Sequence, residues 1–193
     1  MDRIADNYFN LAILQLYYPA ILAGFWVTCQ VAALVIVAGI GFGLLLAVIR
    51  ALESRFVNGL IVGWIDFFRT LPQLVVIVLV YFALPYAGIT LSPFAATVLA
   101  LGAVLSAFAA EIFTAAIRSI PRGQWDSARA LGLSFLKTLF LVVLPQAIRI
   151  AIPLLTNRTI AIIKGTALGT AVSLPEILGS AQSAMAIAAN RLR

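Results

Sequence analysis

Two long stretches of the chain contain no Asp, Glu, Lys or Arg: residues 7–49 and residues 70–110. Each exceeds the roughly 20 apolar residues that a membrane-spanning helix needs. Lipid offers the backbone no hydrogen-bond partners, so such runs are predicted to be helical. A first span is expected over about 20–49, closed by Arg50. Residues 7–18 are apolar but run into Pro19, which predicts a separate interfacial segment with Tyr8, Tyr17 and Tyr18 in an aromatic belt. A second span is expected over about 57–85 with a kink at Pro72, followed by a turn over 85–93. A third runs over about 93–117 and stops before Arg118. A polar stretch, 118–144, then precedes a less hydrophobic span from Pro145 to the region of Lys164.

Composition narrows the class. Of 193 residues, 63% are hydrophobic and 10% charged, against about half and about a quarter in a soluble domain. An ordinary soluble globule and a disordered chain are both excluded, and the lipid bilayer is the expected surrounding. The chain has no histidine, which removes the commonest general base and metal ligand. Cys29 is the only cysteine, so a metal or redox cluster of thiolates drops out. The net charge of +6 is spread along a membrane chain, and the positive-inside rule accounts for it without a nucleic-acid partner. Arg50 and Arg55 lie between the first two spans, and Arg118, Arg122, Arg129 and Lys137 between the third and fourth. The 86–92 loop is uncharged, and the N-terminal segment sets Arg3 against Asp2 and Asp6. This bias predicts that 50–56 and 118–144 are cytoplasmic and the N-terminus extracytoplasmic. Asp2 and Asp6 also argue against a signal peptide, so the start is expected to be retained.

Gly39 and Gly43, like Gly59 and Gly63, have the four-residue spacing that lets helices approach closely. The Gly39–Gly43 run lies mid-span with no Gly-Lys-Ser/Thr after it, so it is not a phosphate loop.

Residues 118–145, RSIPRGQWDSARALGLSFLKTLFLVVLP, predict two short helices meeting at a turn. Pro121 suits a first helical position, Gly132 the left-handed residue past a helix end, and Ser134 the cap of the second helix. On a first helix over about 121–131, Trp125, Ala128 and Leu131 make an apolar strip. Arg122, Asp126 and Arg129 lie on another side, with Asp126 one turn from each arginine. Such a helix reads either as a lever for a cytoplasmic partner or as a surface connector between spans.

The same stretch resembles the EAA loop of ABC importer permease subunits. Asp126, Ser127 and Ala128, then Gly132, then Val142, Leu144 and Pro145 follow that pattern with every gap kept. Arg69-Thr70-Leu71-Pro72-Gln73, the acidic Glu111, and Arg118 followed by Gly123-Gln124 are similar to the polar amino-acid permease group. So are Leu144–Ala147 with Pro153 and Asn157, Lys164–Leu168, and Pro175–Leu178. Asp126 stands for the usual glutamate, Ser127 for alanine, Gly165 for aspartate, Ala167 for serine, and Thr114 where arginine is frequent. The resemblance implies an all-α, polytopic membrane helix bundle of the type I ABC importer fold, one domain over 1–193 with a coupling loop at 118–145. Residues 177–190 are expected to be too short and too rich in small residues for the family's last core helix, so the bundle is expected to lack the last of five.

Ionisable and polar groups inside spans are costly and read first as functional. Lys164 follows an Ile-Ala-Ile-Ile run and precedes a Gly165-Thr166 pair suited to unwinding a helix. Asn157, Lys164 and Thr166 are therefore expected to face a translocation path; the plainer reading is that Lys164 pairs with a buried acid. Arg69 and Glu111, at comparable depth on adjacent spans, are expected to form a structural ion pair.

The resemblance further implies a subunit of a bacterial inner-membrane importer for polar amino acids that performs no chemistry itself. The coupling interface would comprise Arg122, Gly123, Gln124, Asp126, Ala128, Arg129, Gly132 and Pro145. Two ATP-binding subunits would dock there and hold the ATP and magnesium, this chain binding no cofactor. A second permease copy or homologue and an extracytoplasmic solute-binding protein complete the implied assembly. The rivals are an autonomous secondary transporter or channel, for which no internal repeat is visible, and a membrane scaffold without transport.

Overall fold

The first helix, α1 (Leu11–Arg50), runs unbroken for 40 residues in a computed structural model that describes residues 11–191 and the side chains of 15–187. Tyr8 and the charges Asp2, Arg3 and Asp6 lie outside the described residues. At 1.5 Å per residue α1 is about 60 Å long, more than tilting absorbs in a hydrocarbon layer of about 30 Å. Pro19 sits inside it rather than ending it, which corrects the expected break. A proline removes a single intrahelical bond, and membrane helices tolerate that loss.

The second expected span is two helices. α2 (Arg55–Thr70) and α3 (Gln73–Ala83) meet at a 107° bend rather than a kink. Leu71 and Pro72 both take extended backbone, with ψ of 136° and 139°. A residue before proline is driven out of the helical region, so the helix stops and restarts. A short 3-10 turn (Leu84–Ala87) and Gly88, at φ 80°, lead to α4 (Pro93–Ser119). Ser92 caps α4 by accepting from the Ala95 N–H at 3.2 Å. α5 (Arg122–Ala130) and α6 (Phe135–Thr138) follow, then a π turn (Leu139–Val143), α7 (Leu144–Lys164), a 3-10 stretch (Gly165–Val172) and α8 (Ile177–Arg191).

α4 is apolar and buried on nearly all sides, the pattern of a helix at the centre of a bundle. Its first half packs Ala100, Leu101, Val104 and Leu105 against Val31 and Val35 of α1, Val76 and Ile77 of α3, and Ile162. Its second half packs Ala109, Phe113 and Ile117 against Ala47 and the Leu139–Leu155 part of the chain. Gly39 and Gly43 make the α1 approach possible. A Cβ on Gly39 would meet Leu105 Cβ at 2.8 Å, and one on Gly43 would meet the Ser106 carbonyl oxygen at 2.7 Å. Gly59 and Gly63 behave otherwise, with nothing within 4 Å of either, so within this chain their spacing serves no contact.

Among the described residues three helical stretches are long and apolar enough to span a membrane, or four if the bent α2–α3 pair counts as one. α8 has 15 residues and is not one of them. It packs beside α1, where Gly24 lies against Ser180 and the Thr28 hydroxyl accepts from the Ile177 N–H at 3.2 Å.

A charged helix clamped on one face and an arginine cluster behind it

α5 is held at both ends. Pro121 occupies the N-cap with extended backbone (ψ 138°), one position earlier than expected, and α5 begins at Arg122. Gly132 takes φ 84° past the helix end. Its N–H donates to the Arg129 carbonyl at 2.9 Å, and the Leu133 N–H donates to the Ala128 carbonyl at 3.3 Å. These two bonds are the Schellman closure that a left-handed glycine permits. Ser134 sits at the N-cap of α6, but its hydroxyl makes no cap bond; the backbone alone closes that turn.

One face of α5 is clamped to the chain. Trp125 stacks on Phe135 with centroids 5.5 Å apart and planes at 22°, and Ala128 is buried. The Gln146 amide donates to the Gln124 side chain at 3.3 Å and to the Val142 carbonyl at 2.7 Å. Leu131 leaves the expected apolar strip and is 84% exposed, because the helix ends at Ala130 and the cap residue turns outward. The opposite face carries Arg122, Gly123, Asp126 and Arg129, all exposed. Among the described residues Asp126 pairs with neither arginine within 4 Å, so these charges remain open to a partner. Of the residues expected at a docking surface, Ala128 is turned into the chain instead, and Pro145 lies apart from α5 as the second residue of α7.

Pro145 does not begin a span. The helical run continues from Phe135 through Val172, and the π turn over Leu139–Val143 ends two residues before the proline. Proline at 145 withholds the N–H that would bond the Leu141 carbonyl four residues back, next to a wider π turn; the Gln146 side chain donates to the neighbouring Val142 carbonyl.

Behind α5 lies a cluster of charge. Arg50 Nη1 donates to Glu111 Oε2 at 3.3 Å, and Arg69 Nη1 lies 3.9 Å from the same oxygen. The expected Arg69–Glu111 pair therefore exists as the longer of two contacts. Phe108, one turn before Glu111, carries the Arg158 guanidinium 3.2 Å from its ring centroid and that of Arg69 at 5.4 Å. Arg50 and Arg158 were not singled out from sequence. Arg158 had a signal, since a charge within an apolar span marks a site by default.

Asn157 and Lys164 are two turns apart on one face of α7, and both are exposed. Among the described residues Lys164 has no carboxylate within 4 Å, against the plainer expectation of a buried acid partner. Thr166 departs from that face. It is 4% exposed, within the 3-10 segment that begins at Gly165. At about 100° per residue, position 166 falls about 180° from Asn157 and about 200° from Lys164, so it lies on the inward side of the helix that carries them outward. Gln73 of α3 lies directly against Gly165, tying the bend at Pro72 to this break. Glu176 is fully buried and caps α8, accepting from the Leu178 N–H at 3.0 Å and the Gly179 N–H at 2.6 Å.

The described residues thus form a bundle of apolar, membrane-length helices with a short charged helix, α5, outside the spans. The chain belongs to the family of binding-protein-dependent transport system inner membrane components, whose pattern matches residues 39–190. It is 38% identical over 159 residues to the probable glutamine ABC transporter permease protein GlnP of Bacillus subtilis, covering 82% of this chain and 73% of that protein. It is 33% identical over 168 residues to the L-cystine transport system permease protein TcyB of the same organism, covering 87% and 72%. Its fold matches a chain from the crystal structure of an amino acid ABC transporter with histidines, with a TM-score of 0.82 and 28% identity over 92% of this chain and 83% of that one. The type I permease architecture is thereby shown, and the readings as an autonomous transporter, channel or scaffold give way to it.

Proposed function

We propose that this chain forms half of a translocation path for polar amino acids and couples that path to ATP-binding subunits through α5. The observation that carries the reading is the two-sidedness of α5, whose Trp125–Phe135 face is fixed to the bundle while Arg122, Asp126 and Arg129 stay exposed. A rigid attachment on one side and unpaired charges on the other transmit a push from a docked partner into α4 and α7. The solute class rests on relatives named for glutamine and cystine. In this reading α5 is cytoplasmic, as the arginine distribution requires, and the N-terminus is outside. Two ATP-binding subunits dock on two such helices and hydrolyse ATP, which this chain does not bind. A second permease copy or homologue closes the path, with Asn157 and Lys164 lining it. An extracytoplasmic solute-binding protein delivers the substrate. Thr166 bears on the path only by supporting the break after Lys164.

A mild-detergent pull-down of the tagged full chain, with mass spectrometry of everything retained, tests this. An ATP-binding subunit is expected in the eluate, and its recovery is expected to fall several-fold for Asp126→Lys with membrane insertion unchanged. Equal recovery from the variant, or no ATPase from a well-inserted native chain, overturns the coupling role.

A further inference from the structure

A second site lies between α5 and the ends of α1 and α4. A cavity of about 340 Å³ is lined there by Arg50, Glu53, Asn58, Thr114, Arg118 and Arg122. Three guanidiniums face one carboxylate in it, and among the described residues neither Arg118 nor Arg122 has an acidic partner within 4 Å. Ala51, Ile117, Trp125 and Phe135 supply an apolar wall. The volume is in the range of small-molecule sites.

Arg118 and Arg122 are exposed and lack an acidic partner among the described residues, and Arg50 lies beside them on the same wall. An oxyanion in the cavity satisfies these guanidiniums. We propose that this cavity binds the headgroup of an anionic phospholipid, its phosphodiester held by Arg118 and Arg122. A free phosphate in solution presents the same oxyanion. Position favours lipid, because the cavity opens where the apolar helices α1 and α4 end, at Arg50 and Ser119, and basic pockets at such helix ends suit anionic headgroups. Arg122 also belongs to the exposed face of α5, so the test is placed on Arg118, which lies outside that helix, and does not involve transport.

The test is a thermal-shift titration of the full chain, delipidated in a neutral detergent with whatever subunits copurify, since a ligand that binds only the folded state raises the unfolding temperature saturably. Phosphatidylglycerol is expected to give a saturating shift and phosphatidylcholine none. Arg118→Gln is expected to weaken the apparent affinity about tenfold, the factor for one charge-assisted hydrogen-bonded contact. Arg55→Gln, an exposed arginine at the same end but outside the cavity, is expected to change it little. An equal loss from Arg55→Gln, or an equal shift from phosphatidylcholine, overturns the site. Inorganic phosphate or glycerol 3-phosphate reproducing the shift overturns the lipid as its occupant.

Discussion

Arg50 Nη1 and Glu111 Oε2 lie 3.3 Å apart and join the end of α1 to α4, while Arg69, at the end of α2, lies 3.9 Å from the same oxygen. Three helices thus converge on one carboxylate whose side chain is 43% exposed. With that exposure the pairing is of modest strength, about 1 kcal/mol or less. Double-mutant cycles on the unfolding of the full chain are expected to give Arg50–Glu111 a coupling of about 0.5–1 kcal/mol and Arg69–Glu111 a smaller one. A larger coupling to Arg69 would show that the closer contact is not the stronger.

The Arg158–Phe108 contact is tested by shape-preserving changes. Phe108→Leu removes the ring quadrupole that attracts the guanidinium, at about 0.5–2 kcal/mol, while Phe108→Tyr keeps it. Thermal unfolding is expected to fall for Leu more than for Tyr. The leucine effect is expected to shrink in an Arg158→Gln background; an undiminished effect there would assign Phe108 to packing alone.

What was legible in the chain was local. The apolar span expected to stop before Arg118 placed α4 to within two residues, and Gly132 marked the end of α5, because each is set by neighbours in sequence. Charge spacing also brought Arg69 and Glu111 together. It could not rank Arg50 above Arg69, since that depends on how closely α1 crosses α4, which is decided by Gly39 and Gly43 against Leu105 and Ser106. The prolines misled in both directions. Pro19 and Pro145 lie within continuous helical runs, where one missing bond is tolerated, while Pro72, preceded by an extended Leu71, turns the chain by 107°. Thr166 could have been excluded from the face of Asn157 and Lys164 by periodicity alone, since nine residues from Asn157 is half a turn away, and it is buried.

The glycines of α1 and α2 are expected to respond with opposite sign. Alanine at Gly43 would drive its Cβ against the Ala109 Cβ and the Ser106 carbonyl, neither of which is the far end of a flexible side chain. Forcing α1 and α4 apart costs about 1–3 kcal/mol. Alanine at Gly59 meets nothing and restricts the unfolded chain, so stability is expected to rise by about 0.5–1 kcal/mol. Unfolding of the two variants in the same detergent reads both. A loss at Gly59 would mean that another helix sits there, contrary to the open space around it.

The glycine inside α5 and the one past its end also separate by backbone rather than by contact, since nothing lies within 4 Å of either. Gly132 is at φ 84°; a side chain there strains the left-handed closure by about 1–2 kcal/mol and weakens the bonds that end α5. Gly123 lies in the first turn of α5, where alanine gains about 0.5–1 kcal/mol of helix propensity. Limited trypsin digestion of the membrane-inserted chain measures the difference, because Arg122 and Arg129 are exposed cleavage points on this helix. Cleavage at Arg129 is expected to speed up roughly five- to thirtyfold for Gly132→Ala, the factor matching 1–2 kcal/mol of local opening. It is expected to slow for Gly123→Ala. Equal rates in both variants would show that α5 does not open as a unit, and that the Trp125–Phe135 stack rather than the glycine closure holds it in place.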